Sequence, residues 1–98
     1  MKVRWLKAAI AAVHAIHSRI SIDNPQAAKR VVQEIESATA RLKEFPLSGR
    51  QGEVNGTREV VVRNLPYVIV YRIRGDVVEI LRVFHAATDW LNQPNLDV

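Results

Sequence analysis

The sequence predicts an α+β fold: an N-terminal helix hairpin packed on a small antiparallel β-sheet, in the order β-α-α-β-β-β with a short C-terminal segment. Three observations carry that prediction. Apolar residues recur at three- and four-residue spacing from Lys7 to about Glu44, the period of a helix face. From Thr57 the period changes to two, the period of a strand. Asp23-Asn24-Pro25 interrupts the helical half and Arg74-Gly75-Asp76 the strand half, so each half folds back on itself.

Lys2 to Leu6 alternates, with Val3 and Trp5 pointing one way, and reads as a short first strand. Lys7 to Ile22 is alanine-rich and reads as a helix. Ile10, Val13, Ile16 (or His17) and Ile20 form its apolar stripe. Asn24 suits an N-cap and Pro25 the first helical position, where a missing N–H costs nothing. The second helix runs to about Glu44, with Ala28, Val31, Ile35, Ala38 and Leu42 along one side. Its short linker makes the pair an αα-hairpin.

Phe45-Pro46-Leu47-Ser48-Gly49 stops the helix, and three glycines between Gly49 and Gly56 predict an exposed loop. That loop lacks the Gly-Lys-Ser/Thr ending of a phosphate loop. Strands follow at about Arg58 to Arg63, Tyr67 to Ile73 and Val77 to Phe84. Strict alternation puts Tyr67, Ile69, Tyr71 and Ile73 on one face of the third strand. It puts Val78, Ile80, Arg82 and Phe84 on one face of the fourth and Glu79, Leu81, Val83 and His85 on the other. Both faces of this meander carry apolar residues, so both need cover. Ala86 to Trp90 reads as a further helical turn with Trp90 over the open face, and about 91–98 as a flexible tail.

The 98 residues make one domain, 1–98, with no internal repeat. A 48% hydrophobic content excludes a disordered polar chain. No apolar run approaches the roughly 20 residues of a membrane span, and the first six residues read as part of the fold rather than a signal peptide. The absence of cysteine excludes disulfide and thiolate chemistry and fits a reducing cytosol. The net charge of +4 favours anionic partners. His14 and His17 lie three apart on the first helix, without the third ligand or Glu-x-x-His context of a metal site.

Five ordered pieces give the chain a family likeness. They are Asn24-Pro25-x-Ala27-Ala28, Phe45-Pro46 with Gly49-Arg50-x-Gly52, Gly56-Thr57-Arg58-Glu59, Pro66-Tyr67-Val68-Ile69-Val70-Tyr71-Arg72, and Val78-Glu79-Ile80-Leu81-Arg82-Val83-Phe84-His85. Together they resemble the RelE/ParE family of toxins from bacterial type II toxin–antitoxin modules, from Val3 to Trp90. The resemblance implies a cytoplasmic toxin with no metal or organic cofactor and no membrane partner. It implies a cognate antitoxin that wraps and inhibits the toxin, with operator DNA reached only through that antitoxin. Some family members cut mRNA in the ribosomal A site, and others poison DNA gyrase.

Metal-free RNA cleavage needs a base for the 2′-hydroxyl, a cation for the phosphorane and an acid for the leaving oxygen. His85, with an ordinary pKa of about 6.5, and Arg82 are the candidates for such catalysis. Arg50, Arg58 and Arg72 are candidates for contact with a target or nucleic acid. Several family features of RNA cleavage are missing. Val68 stands where RNA-cleaving members carry an arginine, Ser48 to Asn55 has no clear match to their catalytic lysines or glutamate, and Ala86-Ala87-Thr88 follows His85 where they often place tyrosine or arginine. The sequence therefore leans to the gyrase-directed side. Each candidate also has a plain structural role open to it: His85 as the end of a strand bonded to Asp89, Arg58 and Glu59 as an ion pair.

Overall fold

The computed structural model describes residues 1–87. The expected turn to Trp90, the cover by Trp90 and the tail from about 91 lie outside the described residues. The elements are β1 (Lys2–Trp5), α1 (Lys7–Ser21), α2 (Pro25–Arg41), β2 (Arg50–Gln51), β3 (Arg58–Val61), β4 (Tyr67–Arg74) and β5 (Val77–His85). The expected order is present, with one added strand, β2, inside the glycine loop.

The helix hairpin forms for the reasons its sequence gives. The Asn24 side chain accepts a hydrogen bond from the Ala27 N–H at 3.0 Å, and Pro25 takes the first helical position. α2 ends before Glu44 because its last turn tightens: the N–H groups of Leu42 and Lys43 bond to Thr39 and Ala40, three residues back. The α2 stripe is buried as expected, through Ala28, Val31, Ile35, Ala38 and Leu42. The α1 stripe is rotated. Ala9 and Ile16 are its buried positions, with Ala12, Val13 and Ile20 packed beside them, and Ile10 is 43% exposed. Alanines at Ala9 and Ala12 let α1 sit close to the sheet, and that contact excludes the bulkier neighbour.

The sheet order is β1-β5-β4-β3-β2. The sheet is mixed rather than purely antiparallel, because β1 runs parallel to β5, with Val3 beside Val78 and Trp5 beside Ile80. No turn links these two strands, so their relative direction is a tertiary outcome that local pattern does not carry. β3, β4 and β5 form the expected antiparallel meander. Asn64 takes φ 61° in the first of its turns and Gly75 takes φ 59° in the second, a region that asparagine and glycine tolerate.

The β4–β5 register contains a bulge. Tyr71 pairs with Ile80, yet Val70 pairs with Arg82, so Leu81 is an extra residue. The bulge shifts the alternation of β5. Val78, Ile80 and Val83 all join the core against the helices, along with Tyr67, Ile69 and Tyr71. Arg82 and Phe84 pair with Val70 and Val68 and so share the opposite, outer face. The expectation that Ile80, Arg82 and Phe84 share one face is thus corrected. Strict alternation holds only without an inserted residue.

Candidate functional site

The candidate residues fall into groups either side of that bulge. Toward the Gly75 turn, Glu79 is buried on the outer face, with its side chain 7% exposed. Arg72, its cross-strand partner, donates from Nε to Glu79 Oε1 at 2.7 Å, and Arg4 on β1 reaches Oε2 at 3.7 Å. The Arg72 hydrogen bond holds the Glu79 carboxyl below the usual carboxylate value. Burial opposes that shift, and the charges of Arg72, Arg74 and Arg4 add to it. Arg72 is thereby engaged inside the fold.

The loop arginines are engaged as well. Arg50 pairs with Glu59 at 3.0 Å across the β2–β3 ladder. Arg58 does not pair with its neighbour Glu59. In register it lies opposite Tyr71, on the helix side, and donates to the carbonyl of Gly49 at 2.8 Å. Tyr71 completes this clasp from beneath: its hydroxyl accepts from the Gly49 N–H at 2.9 Å and donates to the Pro46 carbonyl at 2.8 Å. Gly49 is required here, since a Cβ would stand 2.6 Å from that hydroxyl and 2.8 Å from the Glu59 carbonyl. The start of the glycine loop, expected to be exposed, is therefore pinned. Thr57 closes its far end by donating to the Val54 carbonyl at 2.6 Å.

Beyond the bulge lie the two catalytic candidates, and the fold separates them. Arg82 sits on the outer face beside Val70 and is half-buried. Among the described residues its side chain has no hydrogen bond or ion pair. His85 pairs with Tyr67, whose ring belongs to the helix-side core, and the two rings meet edge-on with centroids 5.3 Å apart. His85 Nδ1 accepts from the Ala87 N–H at 3.1 Å. Arg82 and His85 thus reside on opposite faces of β5.

His14 and His17 are exposed on α1. Among the described residues, no three His, Asp or Glu side chains gather as metal ligands, and no helix is long and apolar enough to cross a membrane. Sequence reasoning missed two features. Glu79 as the hub of an arginine pair could have been found by counting outward from the Gly75 turn, which pairs 74 with 77 and 72 with 79. The Tyr71–Arg58 clasp had no such signal, because it joins segments more than twenty residues apart.

The comparisons with known proteins agree with this architecture. Residues 3–90 match the family described as the ParE toxin of the type II toxin–antitoxin system, parDE. The chain belongs to the ParE toxin family. A toxin-named relative from Sinorhizobium fredii, Y4kP, is 45% identical to this ParE-family chain over 89 residues, 91% of the chain and 92% of the relative. Toxin RelE2 of Caulobacter vibrioides is 37% identical over 86 residues, 88% and 96% of the two. Among solved structures, a chain of the chromosomal ParDE system from P. aeruginosa superposes with a TM-score of 0.78 at 27% identity, covering 87% of this chain and 95% of that one. A chain of the RelBE2 toxin–antitoxin complex from Mycobacterium tuberculosis shares the fold, with a TM-score of 0.62 at 24% identity over 86% and 95%.

Proposed function

We propose that this ParE-family chain arrests growth unless held by a cognate antitoxin, and that its target is DNA gyrase, inhibited by binding without chemistry of its own. The observation that carries this reading is the register of β5, which sets Arg82 beside Val70 on the outer face and His85 beside Tyr67 on the helix side. An RNA-cleaving site needs its acid–base group and its cation around one phosphate. Arg72, Arg50 and Arg58 are held by Glu79, Glu59 and the Gly49 carbonyl, which removes the nearest substitutes. The family match supports the same side. The test is a supercoiling assay with purified gyrase. Titration with this chain is expected to inhibit supercoiling and accumulate a cleavage complex, and unaffected supercoiling would remove the gyrase reading.

One comparison favours a second reading, a ribosome-dependent mRNA endonuclease using His85 and Arg82: the 37% identity to a toxin named RelE2. Primer extension on cellular mRNA after induction decides it, since that reading requires A-site cuts. A third reading, an inactive member that only binds its antitoxin and so acts on operator DNA indirectly, ends with growth arrest on expression of the chain alone.

A further inference from the structure

The loop between α2 and β2 holds two large apolar side chains in water. Phe45 is 60% exposed and Leu47 is 67% exposed. Scattered exposed hydrophobics need no explanation. These two differ in how they are held. They flank Pro46, whose carbonyl receives the buried Tyr71 hydroxyl. The same hydroxyl takes the Gly49 N–H, and Arg58 Nη1 lies between the Gly49 carbonyl at 2.8 Å and the Leu47 carbonyl at 3.4 Å. The Phe45 N–H is bonded to the Arg41 carbonyl at 2.9 Å, so the turn is fixed at its helix end too. A turn clamped at both ends presents its side chains with little ordering entropy left to lose on binding.

We infer that Phe45 and Leu47 form a rigid knob that docks into an apolar, acid-rimmed cleft on the protein this toxin arrests. This inference rests on the reading that the chain acts by binding a protein target. Shape favours a folded partner, because extended or helical segments themselves occupy grooves and a projecting knob fills a concave site. Charge sets the rim: Arg41 and Lys43 flank the knob against the carboxylate of Glu44, while Arg50 beyond it is balanced by Glu59. The same basic rim disfavours a second copy of this chain, which would bring like charges together.

The test is the double variant Phe45→Ala/Leu47→Ala, expressed alone and also purified. Both side chains are exposed, so the melting temperature should match the unsubstituted protein. Loss of a central apolar contact commonly costs tenfold or more in affinity, so growth arrest should need roughly 10- to 100-fold more toxin. Arrest at unchanged potency overturns the inference, including the case in which the knob meets only an antitoxin. A dimer in light scattering that the double variant converts to monomer would assign the knob to a second copy and also overturn it. The gyrase reading fails separately: if the unsubstituted chain arrests growth and leaves supercoiling intact while the double variant does not arrest growth, the knob stands and the target is another protein.

Discussion

The bulge at Leu81 divides the β4–β5 hairpin into halves that use the same residue types differently. Between the bulge and Gly75, the outer-face arginine Arg72 is spent on a buried carboxylate, Glu79. On the far side, the outer-face arginine Arg82 has no ion pair among the described residues, and His85 lies on the other face against Tyr67. One half is an ion-pair scaffold whose polar groups satisfy each other. The other half carries the chain's candidates for chemistry, and there a three-residue spacing along one strand keeps them apart. An arginine is thus no functional signal by itself; its cross-strand partner decides what it can do.

Substituting Arg72 is the strongest way to break that contrast. Arg72→Ala leaves Glu79 buried without its hydrogen-bonded partner, with the exposed Arg4 at 3.7 Å and the charge of Arg74 remaining. Removing one partner of a buried pair costs about 3 kcal/mol or more. In a domain of this size that corresponds to a fall of about 15 °C in melting temperature, measurable by circular dichroism. The loss should be smaller in Arg72→Ala/Glu79→Gln, because no charge is then stranded.

Acid should act on the same half. Glu79 has its carboxyl lowered in the folded state by Arg72. The stabilisation is complete above the ordinary carboxylate range and is lost as pH falls through that range toward the lowered folded value. Melting temperature should therefore decline on acidification, and Glu79→Gln should flatten that decline. An unchanged slope in the variant would place the acid sensitivity on other carboxylates.

Tyr71 stands at the junction, the first β4 residue on the turn side of the register shift. Tyr71→Phe keeps the ring in the core and removes both loop bonds. Leaving the Gly49 N–H buried without its acceptor costs about 1–3 kcal/mol. Amide exchange at Gly49 should quicken far more than at Ile69 if the clasp, rather than the core, is what the hydroxyl supports.

These contrasts show where the sequence is informative. The helix hairpin was legible because Asn24, Pro25 and the α2 stripe act within a turn or two of themselves. The meander was legible because Gly75 sets its own hairpin. The faces of β5 beyond Ile80 were not, since a bulge leaves no composition mark in a run such as Leu81-Arg82-Val83-Phe84. The parallel β1–β5 pairing was hidden for a related reason: it joins strands that no short turn connects. For the candidate site, residue identity was visible and placement was not. Alternation puts Arg82 and His85 on opposite faces, but which face each takes is set by the bulge: without it Arg82 would share the core face of Ile80 and His85 would face outward.

The smallest stability effects carry the sharpest functional contrast. Arg82→Ala removes a half-buried cation with no ion pair among the described residues, so stability should change by no more than about 0.5 kcal/mol. His85→Ala removes the edge-on contact with Tyr67, worth about 0.5–1.5 kcal/mol, together with the bond from the Ala87 N–H to its Nδ1. A folded, soluble variant is therefore expected in both cases, and growth arrest can be compared directly. If the two side chains act together on one phosphate, either substitution abolishes arrest and the double variant adds nothing further. If they act from opposite faces, the two behave independently, and His85→Ala still arrests growth. A shared, non-additive loss would mean that β5 rearranges on its target to bring both side chains to one face, which would overturn the separation on which the gyrase reading rests.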